Sequence, residues 1–94
     1  MATLLDDNAI ASALVSLNWE RFGDELVKVH EAKGFKEALD WVVQVGGLAE
    51  EANHHPDIDV RWSTVTLRLS THSAGGITSA DMDLASRIDA LTAG

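Results

Sequence analysis

From residue 50 to residue 57 the chain reads Glu-Glu-Ala-Asn-His-His-Pro-Asp, two carboxylates followed by adjacent histidines and the single proline. Histidine titrates near neutral pH, so a His pair beside carboxylates suits general acid/base catalysis, and the same pair could bind a metal. No other stretch is as dense in titratable groups. Two structural readings stay open beside the chemical one. A histidine at a helix C-terminus is a favourable partner of the helix dipole, and Glu50 and His54, four apart on one helical face, can form a surface pair contributing about 0.2–0.5 kcal/mol. Taken as metal ligands, Glu50, His54 and His72 match no standard spacing. His30, in a strand without a charged pattern, reads as structural.

The elements that must position these residues follow from apolar period and capping chemistry. Asp6 caps a helix expected over residues 7–17 with Ile10, Leu14 and Leu17 on one face, and Asn18 closes it in a left-handed turn. Residues 19–22 read as a short strand, Gly23-Asp24 as a two-residue hairpin turn, and residues 25–32 as the returning strand. From Phe35 the period changes to 3.6, with Phe35, Ala38, Val42, Val45, Ala49 and Ala52 on one face. Gly46-Gly47 inside this helix predicts a close backbone approach by a strand, a helix or another subunit. Pro56 disfavours helical geometry at His55 and so puts both histidines at the helix C-terminus. A second hairpin follows, residues 59–62 out, Ser63-Thr64 near the turn and residues 65–71 back, with His72 at the strand end. Thr78-Ser79-Ala80-Asp81 is a capping box with Asp in the Glu/Gln position, Ile77 and Met82 form its staple, and Leu84, Ile88 and Leu91 continue the helix. Residues 92–94 are expected to fray. Trp19 reads as a core anchor, and Trp41 and Trp62 as core or interface residues.

The order is α-β-β-α-β-β-α. It predicts one α+β domain over residues 1–94, a four-stranded antiparallel sheet with three helices on one face. That layout can bring the end of the second helix and the end of the fourth strand together, and with them His54, His55 and His72.

Composition limits the remaining possibilities. Fifteen acidic residues against seven basic give a net charge of −8, with Lys and Arg spread singly, which argues against nucleic acid or an anionic membrane as partner. No apolar run approaches the roughly 18 residues of a membrane span, and the first seven residues carry no basic signal-peptide region. The absence of cysteine excludes disulfides, thiol catalysis and Cys-ligated zinc and fits a reducing compartment. A soluble, cytoplasmic protein is expected.

The spacing from Glu50 through His54-His55-Pro56, Trp62 and His72 to Asp81 resembles the signature of the pterin-4a-carbinolamine dehydratase family. Ala49-Glu50, Asn53 to Asp57, Thr71-His72, Gly75-Gly76-Ile77-Thr78 and Leu84-Ala85 extend the resemblance. Trp19 and the Phe35-x2-Ala38 helix start carry it more weakly into the N-terminal half. Ser73 stands where the family commonly has an acidic residue, and His30 and Ala32 stand where aromatics are common.

The resemblance implies dehydration of 4a-hydroxytetrahydropterin to the quinonoid dihydropterin, without cofactor or metal, in the recycling of the pterin used by aromatic amino acid hydroxylases. It implies His54 and His72 as general acids and Glu50 as acceptor or orienter of a proton near N5. His55, Pro56, Trp62 and Asp81 would contact substrate, Asp81 also placing His72 or the ring. A homotetramer built as a dimer of dimers is expected. Two rivals are a protein-binding role, such as that of the family fold as a dimerisation cofactor of a transcription factor, and dehydration of another pterin or ring.

Overall fold

The computed structural model describes residues 3–92. The elements are α1 (Asp7–Leu14), β1 (Glu20–Phe22), β2 (Glu25–Glu31), α2 (Phe35–Ala52), β3 (Asp57–Arg61), β4 (Thr64–Leu69) and α3 (Ser79–Thr92). The predicted order α-β-β-α-β-β-α is the observed one. Of the three residues expected to fray, Thr92 still belongs to α3, and Ala93 and Gly94 lie outside the described residues.

The strands form one antiparallel sheet in the order β1-β2-β4-β3. Leu26 pairs with Leu69, Lys28 with Leu67 and His30 with Val65, so these side chains share one face. Leu26, Val65, Leu67 and Leu69 on that face are fully buried, and Ile10, Trp19, Ala38, Val45, Ala49, Leu84, Ala85 and Ile88 join them in one core. All three helices thus contribute to the same side of the sheet, while Phe22 and Val29 on the other side stay exposed.

Several boundaries move for identifiable reasons. The backbone N of Ala9 donates to Asp6 Oδ1 at 2.8 Å, so the expected cap is made. However, α1 ends at Leu14, because Val15, Ser16 and Leu17 tighten into bonds to the carbonyl three residues back. Asn18 is not left-handed. Its N–H donates instead to Asp89 Oδ2 of α3 at 2.7 Å, a tertiary partner in place of a local turn. The same carboxylate accepts from the Trp19 indole at 2.9 Å and pairs with buried Lys28 at 3.0 Å, tying the entry to β1 and the middle of β2 to α3.

On α2 the buried positions are Ala38, Trp41, Val45 and Ala49, while Phe35 and Ala52 at the predicted ends of the stripe are exposed. A methyl group built on Gly46 or Gly47 would meet no neighbouring atom within 4 Å. The close approach expected at this pair is therefore not made within the protomer.

The second hairpin turns one residue earlier than predicted. Arg61 pairs with Thr64, leaving Trp62-Ser63 as the turn. Trp62 sits at φ 54, the left-handed region a bulky side chain seldom occupies, and is 65% exposed, so it is not a core residue. Hydrogen bonds across to β2 hold that register: Ala32 N–H donates to Ser63 O at 2.8 Å and Thr64 Oγ1 donates to Glu31 at 2.5 Å.

Candidate active site

The histidine pair is positioned by the way α2 ends. Asn53 adopts the left-handed conformation (φ 49, ψ 44), its N–H bonding Glu50 O at 3.2 Å and the His54 N–H bonding Ala49 O at 3.0 Å. This is the paired-carbonyl ending that a left-handed residue permits, and it swings the chain off the helix axis. His54 and His55 thus lie just beyond the helix rather than in its last turn. Pro56, which cannot continue a helix, leads into β3.

His72 arrives from the opposite side. β4 stops at Leu69, short of the predicted 71, and residues 72–74 form a single 3₁₀ turn. Thr71 O accepts from Ala74 N at 3.0 Å and Gly75 N at 2.9 Å, while Thr71 N donates to Gly76 O at 2.8 Å. Gly75, at φ 80, closes the turn where a side chain would be strained.

The two approaches meet. Asn53, His54, His55, Ser70, Thr71, His72 and Ser73 line one open cavity of about 270 Å³. All three histidines predicted to converge do so. Glu50 stands at its edge through His55, whose Nε2 hydrogen-bonds Glu50 Oε2, and both side chains are exposed. A larger concavity, about 580 Å³, opens beside Trp19, Val27 and Arg68 and carries no histidine.

Asp81 is the buried component. It is fully inaccessible, and its Oδ1 lies 2.5 Å from His54 Nε2. Its Oδ2 accepts from Thr78 N at 2.9 Å, the reciprocal half of the predicted capping box, and from Thr71 Oγ1 at 2.8 Å. The family resemblance links Asp81 to His72 or the substrate ring; its histidine partner in the structure is His54. A carboxylate fixed on one imidazole nitrogen sets the ring's orientation and tautomer and leaves the other nitrogen, Nδ1, for a ligand.

Pro56 and Trp62 do not line the cavity. Trp62 lies beyond the far end of β3, so the length of that five-residue strand, about 17 Å at 3.3 Å per residue, separates it from the histidine end. Sequence reasoning missed Thr71, Thr78, Asn53, Ser70 and Ser73 as members of the site. Asn53 carried a signal, being a residue tolerant of left-handed geometry immediately before the pair. The described residues contain no group of three or more His, Asp or Glu arranged to hold a metal ion.

A histidine held by a buried carboxylate and sharing a small polar cavity with two more histidines is an arrangement suited to proton transfer. Similarity to known proteins gives the family. The family model described as Pterin 4 alpha carbinolamine dehydratase matches residues 3–91, and the chain belongs to that family. A protein of Nocardia farcinica named "Putative pterin-4-alpha-carbinolamine dehydratase" is 54% identical over 94% of each chain. One of the same name from Natronomonas pharaonis is 45% identical over 97% of this chain and 98% of its own. Among solved structures, a transcriptional coactivator/pterin dehydratase from Brucella melitensis superposes with a TM-score of 0.88 at 27% identity, covering 93% of this chain and 96% of the other. A pterin dehydratase-like protein described as a RuBisCO assembly factor of the alpha-carboxysome shares the fold, with a TM-score of 0.66 at 22% identity over 84% and 92% of the two chains.

Proposed function

We propose that this protein dehydrates 4a-hydroxytetrahydropterin to the quinonoid dihydropterin, recycling the pterin of aromatic amino acid hydroxylases. The observation that carries the reading is His54, oriented by buried Asp81, sharing one cavity with His72 and His55. A proton delivered to the 4a-hydroxyl lets it leave as water. Loss of the N5 proton frees the electron pair that closes the C4a=N5 double bond, so the step balances without redox change.

His54 and His72 act as the acids, and the Glu50–His55 pair binds the ring and takes the N5 proton. Pro56 does not line the cavity, and its part is to turn the chain from His55 into β3. If Trp62 contributes, it does so to the cavity of a neighbouring copy, because it is at the wrong end of its own hairpin. Stopped-flow dehydration of freshly generated 4a-hydroxytetrahydropterin tests the reading. A rate equal to the spontaneous one would overturn it. The reaction is proposed to need no metal, so dialysis against a chelator leaves the rate unchanged, and activity restored only by a divalent ion would refute that.

The same reading includes a homotetramer, a dimer of dimers, in the cytoplasm. Two features support assembly. Beyond Val27, β2 has no β1 partner, and the main chains of Val29 and Glu31 face that open edge. On α2, Phe35, Leu39 and Val43 are exposed at steps of four, with Gly47 next in the row.

A further inference from the structure

We propose that Thr71 is the positioning residue that fixes His54 and His72 relative to each other; the inference deepens the dehydratase reading and rests on it. The hydroxyl protons can be assigned by counting donors. Asp81 Oδ2 receives Thr78 N–H and lies 2.8 Å from Thr71 Oγ1, and an acceptor-only carboxylate requires the Thr71 proton. Thr71 Oγ1 also lies 2.7 Å from Thr78 Oγ1. Its own proton is committed, so Thr78 must donate there, and Thr78 Oγ1 in turn accepts from Ala80 N at 3.2 Å. The bonds run in one direction, from the start of α3 through Thr78 and Thr71 to Asp81, whose other oxygen holds His54.

The main chain of Thr71 does a second task. Its carbonyl accepts from Ala74, Gly75 and Gly76, and its N–H returns to Gly76 O, so it anchors the turn whose first residue is His72. One residue thus holds one histidine through its side chain and the other through its backbone. Thr71, Thr78 and Asp81 are all buried, so water cannot readily replace a deleted hydroxyl. Without that hydroxyl, Oδ2 keeps only the Thr78 N–H, and the carboxylate can rotate away from His54.

Thr71→Val removes the hydroxyl at nearly constant shape; Thr71→Ser restores it. In the valine variant kcat falls roughly 10- to 100-fold with KM within about twofold, as expected when a catalytic group is misplaced while substrate binding is intact. The serine variant keeps kcat within about threefold. Independently of activity, proton NMR of the parent shows a downfield His54 Nε2–H resonance from its bond to Asp81. It moves upfield or broadens in Thr71→Val and persists in Thr71→Ser. An unchanged resonance in the valine variant, whatever its rate, overturns the proposal. So does equal loss in both variants. If the parent proves inactive on the pterin, the dehydratase reading falls, and the resonance still decides the role of Thr71. If Thr71→Val does not fold by circular dichroism, Thr71→Ala, which also lacks the donor, takes its place under the same criteria.

Discussion

His54 Nε2 and Asp81 Oδ1 are 2.5 Å apart, one on a half-buried ring at the cavity wall and the other on a carboxylate with no exposed surface. Burial makes this contact directional, because the bonds that Asp81 accepts come from Thr71, Thr78 and His54. Asp81→Asn keeps the shape but sets an NH₂ group against one of those donors. We expect kcat to fall by about 10² or more and stability by about 1–3 kcal/mol. Stopped-flow rates and urea titration measure the two, and a parental rate in a folded variant would remove Asp81 from the mechanism.

The histidines should separate by kinetic signature. His54→Ala lowers kcat by roughly 10² to 10⁴, with His72 able to compensate in part, and His55→Ala acts mainly on KM. Replacing His54 and His72 together brings the rate near the spontaneous one. His55 and His72 are exposed, so their variants should melt within about 0.5 kcal/mol of the parent. His54→Ala is different, because it strips a partner from buried Asp81, and we expect about 1–3 kcal/mol of destabilisation. A double variant that dehydrates the pterin at the parental rate would rule out both acids.

Much of this site was legible in the chain because its determinants are local. Asp6 before a helix, Gly23 in a two-residue turn, the 3.6 period from Phe35 and the box at Thr78–Asp81 each act over a few residues. The topology allowed His54, His55 and His72 to converge, and they do line one cavity. What escaped depends on partners far away in sequence. Asn18 lost its expected left-handed turn to a carboxylate on α3. Trp62 took a backbone conformation that its side chain opposes, because register with β2 decided the turn. Capping explained one oxygen of Asp81, and nothing in the sequence assigned the other to His54.

His30 provides a pH test away from the site. Its ring stacks on Trp41 with centroids 4.0 Å apart. Burial, and secondarily the charge of Lys28, lower its pKa from the ordinary value, while Glu31 opposes them. The fold therefore prefers neutral His30. Above the unfolded value, about 6.5, neither state binds the proton; as pH falls below it the unfolded chain protonates first, and stability drops until the folded pKa is passed. His30→Phe keeps a ring on Trp41 and cannot titrate. The parent should thus lose more melting temperature than the variant between pH 7.5 and 5. Parallel pH profiles would show that His30 does not contribute.

Gly46 and Gly47 test assembly, because the protomer gives no reason for them. Each glycine in a helix interior costs about 0.5–1 kcal/mol relative to alanine, and here an added methyl meets nothing within 4 Å. Considered alone, the protomer should gain about that much from Gly47→Ala. If a second copy packs its α2 against the stripe of Phe35, Leu39, Val43 and Gly47, the added methyl falls in that contact. The alanine variant would then dissociate at concentrations where the parent stays assembled, even as the helix itself strengthens. Light scattering across a dilution series separates the two effects. A parent that is monomeric at micromolar concentration sinks the tetramer. A tetramer that Gly47→Ala leaves intact moves the contact off this face of α2 and turns attention to the sheet edges, β1 with the unpaired end of β2 on one side and β3 on the other.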